Sequence, residues 1–180
     1  MRKLTTSELG RTSVEAFRNQ DKLPLVLVLD SVRSMHNVGS VFRTADGFAV
    51  EKILLCGITG QPPHREIEKT ALGATQSIAW AYFEKVEDAL ASLIADGYTV
   101  VAVEQAESSI PLNAYQPAAN GRYALIFGNE VNGVSNEAMA LAAGCIEIPQ
   151  FGTKHSFNIV VSAGIVLWDF YTKLTQQANG

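Results

Sequence analysis

The chain has 180 residues, 47% of them apolar and 18% charged, with a formal net charge of −4. That suffices for one compact domain burying roughly 70% of the surface its unfolded chain exposes, with no need of a metal or a disulfide. The negative balance argues against a protein that coats nucleic acid by bulk electrostatics, and the two cysteines, Cys56 and Cys145, lack metal-ligand spacing and read as small buried hydrophobes in a reducing compartment.

The first 22 residues carry Arg2, Lys3, Arg11, Arg18 and Lys22 against only Glu8 and Asp21. They read as a short basic extension (1–23) ahead of a single domain (24–180), and such a segment is ordinarily a solvated tail. No apolar leader opens the chain, and the most apolar run, residues 159–171, is too short to span a bilayer and contains Asp169. A cytoplasmic protein with no membrane contact is expected.

Residues 25–29 (LVLVL) form a continuous apolar run of strand length, as in a parallel strand covered on both faces. A helix follows, with Val38, Val41, Phe42, Ala45, Phe48 and Ala49 on one stripe and Arg43 pointing away from it. Taken alone, Arg43 reads as a solvated surface arginine. Residues 53–56 make a second buried strand, then a Gly/Pro-rich loop (57–63) leads to a short polar helix over 66–70. Residues 77–83 alternate as a strand. Val86, Ala89, Leu90, Leu93 and Ile94 mark an amphipathic helix stopped by Gly97, and 99–103, 123–127 and 146–148 are further strands. Strands alternating with helices imply an α/β fold with a largely parallel sheet.

In such sheets ligands bind at the carboxyl ends of the strands, which points to the segments after Leu29, Val103, Phe127 and Ile148. Neither 128–135 nor 150–158 is a Walker loop, and no GxGxxG follows the first strand, which disfavours a flavodoxin-like or dinucleotide site. Between Ile159 and Tyr171 only Ser162, Gly164 and Asp169 are not apolar or aromatic. A helix so apolar all round is a deep core helix, is threaded into the fold, or packs on a second subunit.

Three blocks stand in order: Asn37-Val38-Gly39 with Arg43; Phe127-Gly128-Asn129-Glu130 with Gly133 and Ser135; and Ile148-Pro149 followed by Ser156-Phe157-Asn158. Over roughly residues 24–174 this resembles the three-motif signature of the SpoU (TrmH-like) ribose methyltransferases of the SPOUT superfamily. The resemblance implies a Rossmann-like α/β domain with a C-terminal deep trefoil knot and a homodimer formed through the last helix. It further implies S-adenosylmethionine held, mostly by backbone groups, at Val103, Glu104, Gly128, Ile148, Ser156 and Phe157. Arg43, Asn37, Glu130, Ser156 and Asn158 take the catalytic positions, with Arg43 reaching across the dimer interface, and no metal is expected.

Simpler roles stand beside these. Asn37 suits a helix N-cap, Glu130 a rim carboxylate in an ion pair, and Ser156 and Asn158 caps for the last helix. His36, His64 and His155 show no metal-ligand spacing. Val131 replaces the glycine that commonly follows the motif-two glutamate, and Phe157 replaces a commoner leucine. Residues 97–105 with 110–112 resemble enzymes that methylate the conserved D-loop guanosine of tRNA, which makes tRNA the first substrate and the basic extension a candidate for gripping it. Ribosomal RNA, the tRNA wobble ribose, or a non-catalytic knotted RNA-binding module are the alternatives.

Overall fold

The computed structural model describes residues 1–10 and 12–178. Seven strands, β1 (Leu23–Asp30), β2 (Val50–Cys56), β3 (Ala79–Phe83), β4 (Thr99–Val103), β5 (Ile110–Pro111), β6 (Tyr123–Phe127) and β7 (Gly144–Glu147), form one parallel sheet in the order β3-β2-β1-β6-β4-β7-β5. The chain builds β1 to β3 toward one edge and crosses to β4. It then inserts β6 between β1 and β4, and β7 between β4 and β5. The expected α/β class and parallel sheet are therefore present.

The apolar run of β1 is split by its pleat. Leu25, Leu27 and Leu29 enter one core, against α2 (Met35–Gly47), α3 (Arg65–Ala71), α4 (Ala74–Ser77) and α7 (Ile159–Ala178). Val26 and Val28 enter the other, against α5 (Val86–Ala95) and α6 (Asn136–Leu141). Cys56 and Cys145 are free and buried, Cys56 so deeply that its thiol is pushed up to about 12 by burial and then by Asp30 and Glu87.

Several boundaries differ from the sequence reading. Phe48 and Ala49 lie beyond the end of α2, where Ala49 turns left-handed at φ 50° and the chain enters β2. Ser77 belongs to α4, not to β3. β7 runs from Gly144 to Glu147, which leaves Ile148 in the loop after it. The basic lead contains α1 (Val14–Asn19), whose Phe17 is buried in the first core. Arg18 donates to the Gln76 carbonyl, Lys22 to that of Phe17, and Arg2 pairs with Glu8 at 2.7 Å. Three of the five basic residues thus hold the segment to itself and to the body; Arg11 lies outside the described residues.

Helix α7 is amphipathic in its setting despite its composition. Ile159, Ala163, Val166, Leu167, Phe170 and Leu174 are buried, whereas Val161, Trp168 and Tyr171 are 49%, 59% and 40% exposed. Lys173 pins its far end, donating to the Leu112 and Tyr115 carbonyls at 2.7 and 2.8 Å while pairing with Asp169 at 2.6 Å. No helix among the described residues is long and apolar enough to cross a membrane.

The contact that sets the position of α3 is made at Gly39 of α2. A Cβ there would overlap the Ile67 carbonyl oxygen and the Thr70 hydroxyl, so only glycine lets the two backbones approach this closely. Gly39→Ala is expected to cost about 1–3 kcal/mol in denaturant unfolding, the usual penalty for overpacking, with no change in the dependence on denaturant.

Candidate active site

A cleft of about 750 Å³ opens at the carboxyl ends of β4, β6 and β7. That is within the usual range for small-molecule sites. Its walls include Val103 and Glu104, Gly128 to Gly133, Ile148, and Ser156 to Asn158. The segment 128–135 that forms one wall is held by its own side chains and by residues at the ends of β1 and β4. Asn129 and Gly133 exchange main-chain hydrogen bonds at 2.9 Å, the Asn129 carboxamide donates to the Ser31 carbonyl at 2.8 Å, and its oxygen accepts from Val131 and Asn132. The left-handed residue of this turn is Gly133, at φ 69°, so Val131 in place of glycine meets no conformational penalty. A Cβ on Gly128 would overlap the Gly133 backbone, which explains the glycine at that point of motif two.

Two carboxylates lock this wall. Glu104 accepts from the Val134 N–H at 3.0 Å and from the Gln105 N–H at 2.8 Å. Buried Asp30, which the sequence reading passed over, accepts from the Ser135 N–H at 2.9 Å. Its signal was available: one acid closes an otherwise apolar strand. Gln105, also missed, donates to the His155 carbonyl at 2.7 Å and ties the loop after β4 to the loop before α7.

The three motif blocks meet in one line of hydrogen bonds. Glu130 accepts from the N–H groups of Arg33 (3.0 Å) and Ser34 (3.1 Å) and from the Asn37 carboxamide (3.0 Å); the Asn37 oxygen in turn accepts from Asn158 at 3.3 Å. The Asn158 oxygen then accepts from the Val160 N–H at 2.9 Å, capping α7 as one of the sequence alternatives expected. Asn37 does not cap α2. Ser34 does, accepting from the Asn37 N–H at 3.2 Å, and Asn37 sits one turn in with its side chain free for Glu130. Glu130 has no ion pair among the described residues; partial burial alone would raise its carboxyl, but the donors from Arg33, its own backbone, Asn37 and Ser34 outweigh that and hold it below the ordinary carboxylate value.

Arg43 is not in the cleft. It is exposed and lines a separate cavity of about 620 Å³ with Ser40, Thr44, Lys69, Thr70 and Val160. The two cavities adjoin at the start of α7, where Ile159 lines the first and Val160 the second. Their charges are opposite. Glu104, Glu130 and Glu147 line the cleft, with no lysine or arginine among the described residues, whereas the second cavity has Arg43 and Lys69 and no carboxylate. No group of three or more potential metal ligands occurs among the described residues, and His36 and His64 are engaged on α3, with Glu66 and as its N-cap.

The chain matches the SpoU rRNA Methylase family over residues 24–168. It belongs to that family. It is 30% identical over 166 residues to a tRNA (guanosine(18)-2'-O)-methyltransferase of Thermus thermophilus, an alignment that covers 91% of this chain and 82% of the relative. In structure it is similar to the A. aeolicus TrmH/SpoU tRNA modifying enzyme (TM-score 0.80, 23% identity, 92% of this chain and 82% of that one). It is also similar to an AdoMet-bound rRNA methyltransferase from Sinorhizobium meliloti (TM-score 0.78, 28% identity, 88% of this chain and 60% of that one). These likenesses carry the SpoU/TrmH assignment of the fold.

Glu130→Gln offers one acceptor oxygen where the wild type uses two, so it is expected to cost about 1 kcal/mol in unfolding free energy at neutral pH. Because folding lowers the Glu130 pKa, the ionised carboxylate contributes stability above the ordinary carboxylate pKa of about 4.3, and that contribution is lost as pH falls through the folded-state value. Denaturant midpoints of the two proteins are therefore expected to differ at pH 7 and to converge in acid.

Proposed function

We propose that this chain transfers a methyl group from S-adenosylmethionine (AdoMet) to a ribose 2′-hydroxyl of RNA, with tRNA as substrate and its D-loop guanosine as the target. The observation that carries this reading is that Asn37 joins Glu130 and Asn158 on the wall of an acidic cleft that adjoins a basic cavity. The relative at 30% identity supports tRNA. Likeness to the rRNA methyltransferase at 28% identity supports ribosomal RNA as the second reading.

The cleft fits the cofactor. Its three carboxylates suit a ligand with a sulfonium and an ammonium group, and the glycine-bounded turn at 128–133 leaves main-chain groups at the surface. Val103, Gly128, Ile148 and Phe157 would hold it, with Ser156 at the rim, while Glu104 acts mainly by fixing the wall through Val134. Bound there, AdoMet supplies an electrophilic methyl group.

The remaining task for the chain is to position the 2′-hydroxyl and ease the loss of its proton. Arg43 suits a clamp: its planar fork can grip a phosphate or donate to the ribose oxygen as negative charge grows there. A guanidinium holds its proton too tightly to serve as the base, so the proton passes to water or to a phosphate oxygen. Arg43 lines a cavity other than its own cleft, and we infer that a second copy completes the site. The aromatic plate of exposed Trp168 and Tyr171 with half-buried Phe48, ring centroids 6.0–6.5 Å apart, lies beside the Arg43 cavity and is the proposed dimer surface. Insertion of β6 and β7 into gaps already bounded by earlier strands supports the C-terminal knot.

Labelled methyl from AdoMet should pass to unmodified tRNA and survive alkaline hydrolysis in resistant dinucleotides. Label on ribosomal RNA alone would move the substrate, and label on neither RNA by a protein that binds AdoMet would overturn the proposal. Arg43→Ala should lose on the order of 10²–10³ in turnover with AdoMet affinity unchanged, and Arg43→Lys at least about tenfold. Near-normal turnover of the lysine variant would remove the bidentate clamp.

A further inference from the structure

Lys69 is exposed on the last turn of a short helix, away from every sequence block considered above. It shares a cavity with Arg43 because the close approach at Gly39 brings the end of α3 onto the middle of α2. The acids on the neighbouring elements do not line this cavity: Glu66 feels the charge of Lys69 but, like the others, has a nearer partner. Glu66 takes His36 and lies 4.0 Å from Arg65, Glu68 accepts from the Thr75 hydroxyl at 2.8 and 3.0 Å, and Asp46 accepts from the Ser77 hydroxyl at 2.5 Å. What remains is a concave site with two cations and the Ser40 hydroxyl on its wall, no carboxylate, and no hydrogen-bond or ion-pair partner for either cation among the described residues.

From this juxtaposition we propose that Lys69 is a substrate-positioning residue, binding a backbone phosphate of the RNA next to the ribose that Arg43 addresses. The inference rests on the RNA-methylating function proposed above. A concave pair of cations, one a flexible point charge and the other a planar fork, suits a phosphodiester beside a second hydrogen-bonding group better than either suits a lone anion. Fixing the phosphate on one side of the target ribose limits rotation of the nucleotide, so Lys69 acts on RNA affinity and orientation while Arg43 acts on the reacting hydroxyl. The motif Asn37-x-Gly39-x-x-x-Arg43 then has three tasks on one helix: Asn37 ties to Glu130, Gly39 admits α3 with Lys69, and Arg43 faces the cavity.

The test measures binding of unmodified tRNA transcript over a range of salt concentrations, and steady-state methylation, for wild type, Lys69→Ala, Lys69→Arg and Lys69→Glu. Lys69 is exposed, so the variants should melt as the wild type does and bind AdoMet equally. The expected result for Lys69→Ala is a KM for tRNA raised about tenfold with kcat within about twofold, and a salt dependence of log K shallower by about 0.7–0.9, one phosphate contact. Lys69→Arg should restore most of the affinity and Lys69→Glu should weaken it further. Unchanged tRNA affinity and salt slope in Lys69→Ala, beside an active wild type, would overturn the assignment of Lys69 alone. A wild type that binds AdoMet but neither binds nor methylates RNA would overturn the underlying function, and this inference with it.

Discussion

The Glu130 carboxylate, accepting two main-chain N–H groups at the start of α2 and the side chain of Asn37, is the interaction on which the rest of the site depends. Arg33 and Ser34 immediately precede the first turn of α2, which carries partial positive charge, so the carboxylate is bound both by these hydrogen bonds and by the helix field. Here the carboxylate comes from the loop after β6, and the bond therefore fixes that loop against a helix that follows β1. Asn37 extends the line to Asn158, and Asn158 caps α7. One acid thus sets the relative positions of the three segments that frame the cleft.

Charge is divided with equal economy. Carboxylates gather where a cationic cofactor is proposed to sit, and two of the three also fix the wall, Glu104 by accepting from Val134 of that loop and Glu130, itself in the loop, by accepting from Arg33 ahead of α2. Cations gather in the adjoining cavity, where nearby acids are engaged elsewhere. Opposite local charges would keep the two proposed ligands apart despite an overall charge of −4, so the acidity of the whole chain says little about either cavity. The start of α7 separates the two cavities, and Trp168 and Tyr171, exposed farther along the same helix, belong to the surface proposed to bring one protomer's basic cavity to another's cleft.

Much of the fold was legible in the sequence because its central strands are buried on both faces and write themselves as unbroken apolar runs. Strand ends were less legible: Ile148 continues the pattern of β7 but lies past its last pair, and the two-residue β5 is too short to leave one. The apolar stripe of α2 ran on to Phe48 and Ala49 although the helix stops before them, since a left-handed Ala49 is set by the turn into β2. Asn37 looked like a cap because asparagine favours that role locally; its actual partner lies 93 residues away. Arg43 gained meaning only from the family resemblance, and Lys69 had no local signal, because its position depends on a backbone contact across two helices. The composition of α7 announced an excess of apolar surface, but only the structure separates the stripe that fills the core from the plate left outside it.

The central claim is that one reaction centre is completed by Arg43 of one protomer and the cleft of another. Its most direct test is subunit complementation: Arg43→Ala, with an intact cleft, is co-expressed with Ser156→Trp, whose indole blocks the cleft rim, each being inactive alone. Mixed dimers contain one complete composite site and should recover methyl transfer to tRNA at about half the wild-type rate per dimer. Mixed dimers without activity, beside an active wild-type dimer prepared in the same way, would contradict a site shared between two chains.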